Sequence, residues 1–124
     1  MTHLPGTSVH LIADLSHATG LSDLALIEAT LRQAALAAGA KVLSVHVHAF
    51  GGDMGVTGIA LLAESHISIH TWPETGEAAI DLFVCGKEVN AECGLAVIVE
   101  NFAAVINQTF RIERLSKNIL TENE

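Results

Sequence analysis

Between Thr57 and Cys85 the chain gathers hydroxyls, imidazoles, carboxylates and a thiol in one stretch, TGIALLAESHISIHTWPETGEAAIDLFVC. Ser65 is flanked by A-E-S-H-I, without the glycines that a nucleophile elbow uses to expose its serine. On spacing alone, a structural serine at a strand boundary stands beside a catalytic one. His46 and His48 share one strand face by the period of two, and so do His66 and His70. With Cys85 these are zinc-ligand types, but the spacing matches no standard zinc pattern. For His3, His10 and His17 the plainer account is sheet-edge imidazoles with satisfied hydrogen bonds. Trp72, the one tryptophan, fits a core or interface position, and Cys93, among apolar residues, reads as helix packing. Cys85 ends a strand just before Gly86 and reads as a buried thiol unless a neighbour activates it.

These residues need a scaffold, and hydrophobic periodicity supplies one. Residues 7–14 read as a first strand, and residues 21–39 as a helix with Ser22 as N-cap, Leu24, Ile27, Leu31 and Ala35 at helical spacing, and Gly39 as its stop. Residues 41–50 read as a strand, GGDMG as a turn, and residues 56–63 and 66–72 as two strands meeting near Glu64 and Ser65. After a turn at 73–76, residues 78–85 form another apolar strand. Asn90 caps a second helix with Leu95, Ile98, Phe102 and Val105 or Ile106 on one face, and residues 109–115 form a last strand. Consecutive strands with short turns favour antiparallel pairing. The expectation is one α+β domain over residues 1–124, a two-layer sandwich of a mainly antiparallel sheet covered by two helices on one face.

Composition narrows the partners. Half of the 124 residues are hydrophobic and few are aromatic, so the core is Ala, Val, Ile and Leu, and part of the apolar excess is expected between subunits. A net charge of -8 with six Lys and Arg argues against nucleic acid and anionic membranes, and suits a cationic ligand. The chain opens without a signal-peptide pattern and contains no apolar run of membrane-spanning length. Two cysteines and these features imply a soluble cytoplasmic protein with reduced thiols.

The segment AESHISIHTWPE, followed by AAIDLFVCG, resembles the short, pyruvoyl-dependent S-adenosylmethionine decarboxylase proenzymes of prokaryotes, nearly unbroken from Gly55 to Gly86. The flanks agree in layout. The resemblance implies a lyase of spermidine biosynthesis, made as a zymogen that cuts itself between Glu64 and Ser65 into residues 1–64 (beta chain) and 65–124 (alpha chain). Ser65 becomes the pyruvoyl group, which forms a Schiff base with the substrate and acts as its electron sink. His70 matches the processing base, Thr57 stands where the family usually has a serine hydroxyl for the oxyanion, and Cys85 matches the proton donor. Phe50, Trp72 and Glu74 are implied near the adenosine. The loop between Phe50 and Thr57 is one residue longer than the family spacing. No metal is implied.

One geometric point adds to the resemblance. Along an extended strand His70 lies roughly 16 Å from its own Ser65, too far for proton transfer, so either the chain bends sharply or His70 serves the Ser65 of another subunit. The expectation is a homodimer with shared sites, one subunit giving Ser65 and Cys85 and the other Phe50, Thr57, His70 and Glu74. Competing readings are a pyruvoyl-dependent decarboxylase of ornithine or arginine, an uncut non-catalytic homologue, and a zinc module built from His46, His48, His66 or His70 with Cys85.

Overall fold

The computed structural model describes residues 8–52, 54–86 and 88–115. Six strands and two helices follow in the order β1 (Ser8–Ser16), α1 (Leu24–Ala38), β2 (Val42–Ala49), β3 (Val56–Leu62), β4 (Ser65–Trp72), β5 (Glu77–Cys85), α2 (Ala91–Asn101) and β6 (Val105–Arg114). The strands form one antiparallel sheet in the order β2-β3-β4-β5-β1-β6. Both helices pack together against one face, so the expected two-layer α+β sandwich is the fold.

Alternation makes the two faces different. Leu11, Ala13 and Leu15 of β1, Ala60 and Leu62 of β3, Ile67 and Ile69 of β4, and Ile80, Leu82 and Val84 of β5 are buried beneath the helices. They meet Ile27, Leu31, Ala34 and Ala35 of α1 and Leu95, Ile98 and Phe102 at α2. Gly94 lets α2 approach closely, since a Cβ there would meet Leu82 Cδ2 at 2.9 Å and the Ala34 carbonyl oxygen at 3.1 Å. The alternate residues face away from the helices and carry nearly all of the polar chemistry.

Local details differ from the sequence reading. The N-cap of α1 is Asp23, not Ser22: its carboxylate accepts from the Leu26 N–H. Leu24 is exposed at the first turn rather than on the buried face. Gly39 ends α1 at φ 84°, as expected, and Asn90 caps α2. Val105 and Ile106 lie on no helix. Ala103 turns left-handed at φ 51° and β6 begins at Val105, whose pairing with Ser16 of β1 wins over helical periodicity. Cys93 is exposed rather than packed, because its position on α2 points away from the sheet. His3 lies outside the described residues.

Candidate active site

Leu62 and Ser65 are cross-strand partners, so Ala63 and Glu64 form a two-residue turn between β3 and β4. Glu64 has φ 67°. A turn left-handed at its second central residue ordinarily carries glycine or asparagine there, and a glutamate pays for the conformation in steric strain. The Ser65 hydroxyl donates to the Ala63 carbonyl at 3.2 Å. From β5, the Cys85 thiol donates to the Glu64 carbonyl oxygen at 3.0 Å. Beyond it, the buried Ser8 of β1 donates its hydroxyl to the Cys85 sulfur at 3.5 Å. The carbonyl of the Glu64–Ser65 peptide thus carries a polarising donor from a thiol that the sheet register holds in place.

The other expected site residues sit at the opposite end of the sheet. Thr57 and His70 are partners across β3 and β4, and Thr57 Oγ1 lies 3.3 Å from His70 Nδ1. His70 and Trp72 are exposed on the face away from the helices. Strand β4 runs unbroken from Ser65 to Trp72, so no bend returns His70 to its own Ser65. Within one chain the Glu64 oxygen therefore has Cys85 as its side-chain donor, while Thr57 engages His70. Phe50 is exposed after β2, with its ring edge-on to His48 at 4.8 Å between centroids. Strand β4 ends at Trp72, and Glu74 stands beyond it in a turn closed by Thr75 N–H to the Trp72 carbonyl, so it does not continue the strand face that carries His70 and Trp72. A cavity of about 450 Å³ beside Trp72 is lined by Asp14, Thr75, Glu77, Asn107 and Gln108.

Midway along the open face lies a hydrogen-bonded cluster. Asp81 Oδ1 accepts from His10 Nε2 at 2.8 Å and from His66 Nε2 at 3.0 Å, and Oδ2 accepts from the Ser68 hydroxyl. Burial opposes ionisation of Asp81 most strongly, yet the hydrogen bonds from Ser68 and His10 and the charge of His66 outweigh it and hold the carboxyl below its ordinary range. Arg114 Nη1 reaches His10 Nδ1 at 3.0 Å. A guanidinium can only donate, so Nδ1 accepts and Nε2 carries the proton given to Asp81. Among the described residues, His10, His66 and Asp81 are the trio whose ligand atoms converge. Cys85, His46, His48 and His70 do not join them, so the zinc set drawn from the sequence is not assembled within the chain.

The S-adenosylmethionine decarboxylase family matches residues 9–115. The chain belongs to that family. An S-adenosylmethionine decarboxylase proenzyme of Thermomicrobium roseum is 37% identical over 105 residues, covering 85% of this chain and 90% of that one. One from Methanococcus aeolicus is 46% identical over 91 residues, covering 72% and 77%. The crystal structure of the adenosylmethionine decarboxylase from Aquifex aeolicus superposes with a TM-score of 0.74 at 30% identity, covering 88% of this chain and 89% of that one.

The family resemblance in the sequence singles out Ser65 and Cys85 but not the side chains around them. Ser8 was missed because a serine opening a strand carries no pattern. Asp81 had a usable signal: it is the one carboxylate in the apolar run AAIDLFVC, and an ionisable side chain inside such a strand needs partners. The sequence alone reads His10 as a sheet-edge imidazole. β1 instead lies between β5 and β6, and its imidazole is satisfied from both sides.

Proposed function

We propose that this chain is a proenzyme that cuts itself between Glu64 and Ser65 and then, as a pyruvoyl-dependent enzyme, decarboxylates S-adenosylmethionine to the aminopropyl donor for spermidine synthesis. The observation that carries the reading is the Cys85 thiol on the Glu64 carbonyl at 3.0 Å, in a turn strained at Glu64. The Ser65 hydroxyl attacks that carbonyl carbon. The C–N bond breaks, an ester forms on the serine oxygen, and the proton passes to the freed nitrogen. The negative charge that develops on the Glu64 oxygen is met by the thiol already aimed at it. Removal of the Ser65 α-proton then expels the ester carboxylate as the new end of residues 1–64. Hydrolysis of the remaining dehydroalanine releases ammonia and leaves a pyruvoyl cap on residues 65–124.

The exposed turn, the serine at its exit and the thiol against the carbonyl all suit the formation of that cap. Its ketone supplies an electron sink for the pair left when a carboxylate departs. Cys85, freed from the Glu64 carbonyl by cleavage, holds the proton to be delivered to the substrate carbon. His70 takes the serine α-proton, and Thr57, in contact with its ring, holds the imidazole and supplies a hydroxyl as second donor, beside the thiol, for the oxyanion. Trp72, Phe50 and Glu74 receive the adenosine. Asp14 and Glu77, which line the cavity beside Trp72, suit a cationic sulfonium substrate.

His70 serves the Ser65 of a second copy. This homodimer reading is supported by the unbroken β4, which keeps the two about 16 Å apart in one chain. The face that carries both ends of the site also exposes Leu61, Trp72, Phe110 and Ile112, apolar area that a second sheet would cover. No helix among the described residues is long and apolar enough to cross a membrane.

Intact mass under denaturing conditions tests the reading. Two fragments meeting at Glu64–Ser65, the second bearing pyruvoyl in place of serine, are expected, with carbon dioxide released from S-adenosylmethionine and not from ornithine or arginine. A chain that stays whole after long incubation refutes it.

A further inference from the structure

Cys85 is asked to do two things on the reading above: to face the Glu64 carbonyl before cleavage, and to hold a proton for the substrate afterwards. A thiol on a strand has a rotatable side chain and a rotatable S–H bond, so its aim has to be fixed by a neighbour. Its one proton goes to the Glu64 oxygen at 3.0 Å. The sulfur lone pairs remain, and one of them accepts from the Ser8 hydroxyl at 3.5 Å. Ser8 is the cross-strand partner of Cys85 in the β1–β5 register and has no exposed surface.

We infer that Ser8 is a positioning residue, whose hydroxyl holds the Cys85 sulfur in the rotamer that directs its S–H at the Glu64 carbonyl. On this assignment Ser8 acts through the Cys85 sulfur, not on the substrate itself. The two hydrogen bonds run head to tail, from hydroxyl to sulfur and from thiol to carbonyl. Donation to the sulfur increases the polarity of the S–H bond that follows it. The contact also joins the two halves of the cut protein, since Ser8 belongs to residues 1–64 and Cys85 to residues 65–124. The fragment that carries the strand β1 therefore keeps hold of the proton donor of the other after cleavage. This inference rests on the self-cleavage reading for its consequence, but the contact itself can be tested without cleavage.

Two measurements decide it. The first is the rate at which freshly synthesised full-length chain becomes two fragments, followed by intact mass, for wild type, Ser8→Ala, Cys85→Ala and the double variant. Ser8→Ala should slow cutting about three- to tenfold, the scale of one neutral hydrogen bond. It should add nothing once Cys85 is alanine, and Ser8→Thr, which keeps the hydroxyl, should recover most of the rate. Equal slowing in both backgrounds means Ser8 serves only to pack the strand, and overturns the inference. The second is the infrared S–H stretch of Cys85 in a Ser65→Ala, Cys93→Ser chain, which cannot cut and has one thiol. Ser8→Ala should move that band, and a band that stays in place overturns the inference whether or not any chain cleaves. A wild type that never cuts while the band moves refutes the proposed function and leaves the Ser8–Cys85 contact standing.

Discussion

Replacing Glu64 with glycine should make the uncut chain more stable and slower to cut. Glu64 sits at φ 67°, in a turn only two residues long between paired strands, so the register of β3 and β4 leaves it no other conformation. A non-glycine residue pays about 1–2 kcal/mol for a left-handed backbone. Glycine removes that cost but returns about 0.5–1 kcal/mol through the greater freedom of the unfolded chain. The net gain in stability should be about 0.5–1 kcal/mol. Denaturant unfolding of Ser65→Ala against Ser65→Ala, Glu64→Gly measures it in chains that cannot cut. The strain bears on cleavage because it is stored in the residue whose carbonyl becomes tetrahedral and then leaves the peptide. If it is released on the way to the ester, glycine forfeits the same 1–2 kcal/mol from the driving force, and cutting slows by about 5- to 30-fold. A more stable chain that cuts at the wild-type rate would show that the strain is spectator to the reaction. Slower cutting with no gain in stability would assign the effect to the lost side chain instead of the backbone.

Shared sites predict complementation: Ser65→Ala and His70→Ala chains should each stay whole alone, yet yield cut His70→Ala chain when co-expressed, because the mixed dimer holds one complete site. Absence of fragments in the mixture would sink the shared-site homodimer. Asp81→Asn should destabilise the fold by about 1–3 kcal/mol at neutral pH, the scale of hydrogen bonds to an ionised acceptor. Because the folded carboxyl titrates below its ordinary 3.8, the contribution is present above that value and is lost as pH falls through the lower folded value. Thermal unfolding of the two chains should therefore begin to converge as pH falls below 3.8 and meet only once pH is below the lower folded value, and a gap that stays constant down through that range would mean that charge is not what Asp81 contributes.

The layers were legible in the sequence because periodicity is local. The apolar alternation of β1 and β5 and the Ile27, Leu31 and Ala35 spacing of α1 state which side is buried before any partner is known. The extended run from Ser65 to Trp72 likewise sufficed to separate His70 from Ser65, since a strand has a fixed rise per residue. The junction after α2 was not legible: Val105 and Ile106 suit a helix face and a strand equally, and the open edge of β1 decides between them. The same holds for the site. The family resemblance, not residue spacing, pointed to Ser65 and Cys85, and the thiol reaches the Glu64 carbonyl only because β5 pairs with β1 and β4 in one particular register. Ser8 stands 77 positions before Cys85, and His10 stands 71 before Asp81. No local pattern spans such separations. Strand pairing creates those neighbours, and only the folded sheet assigns them.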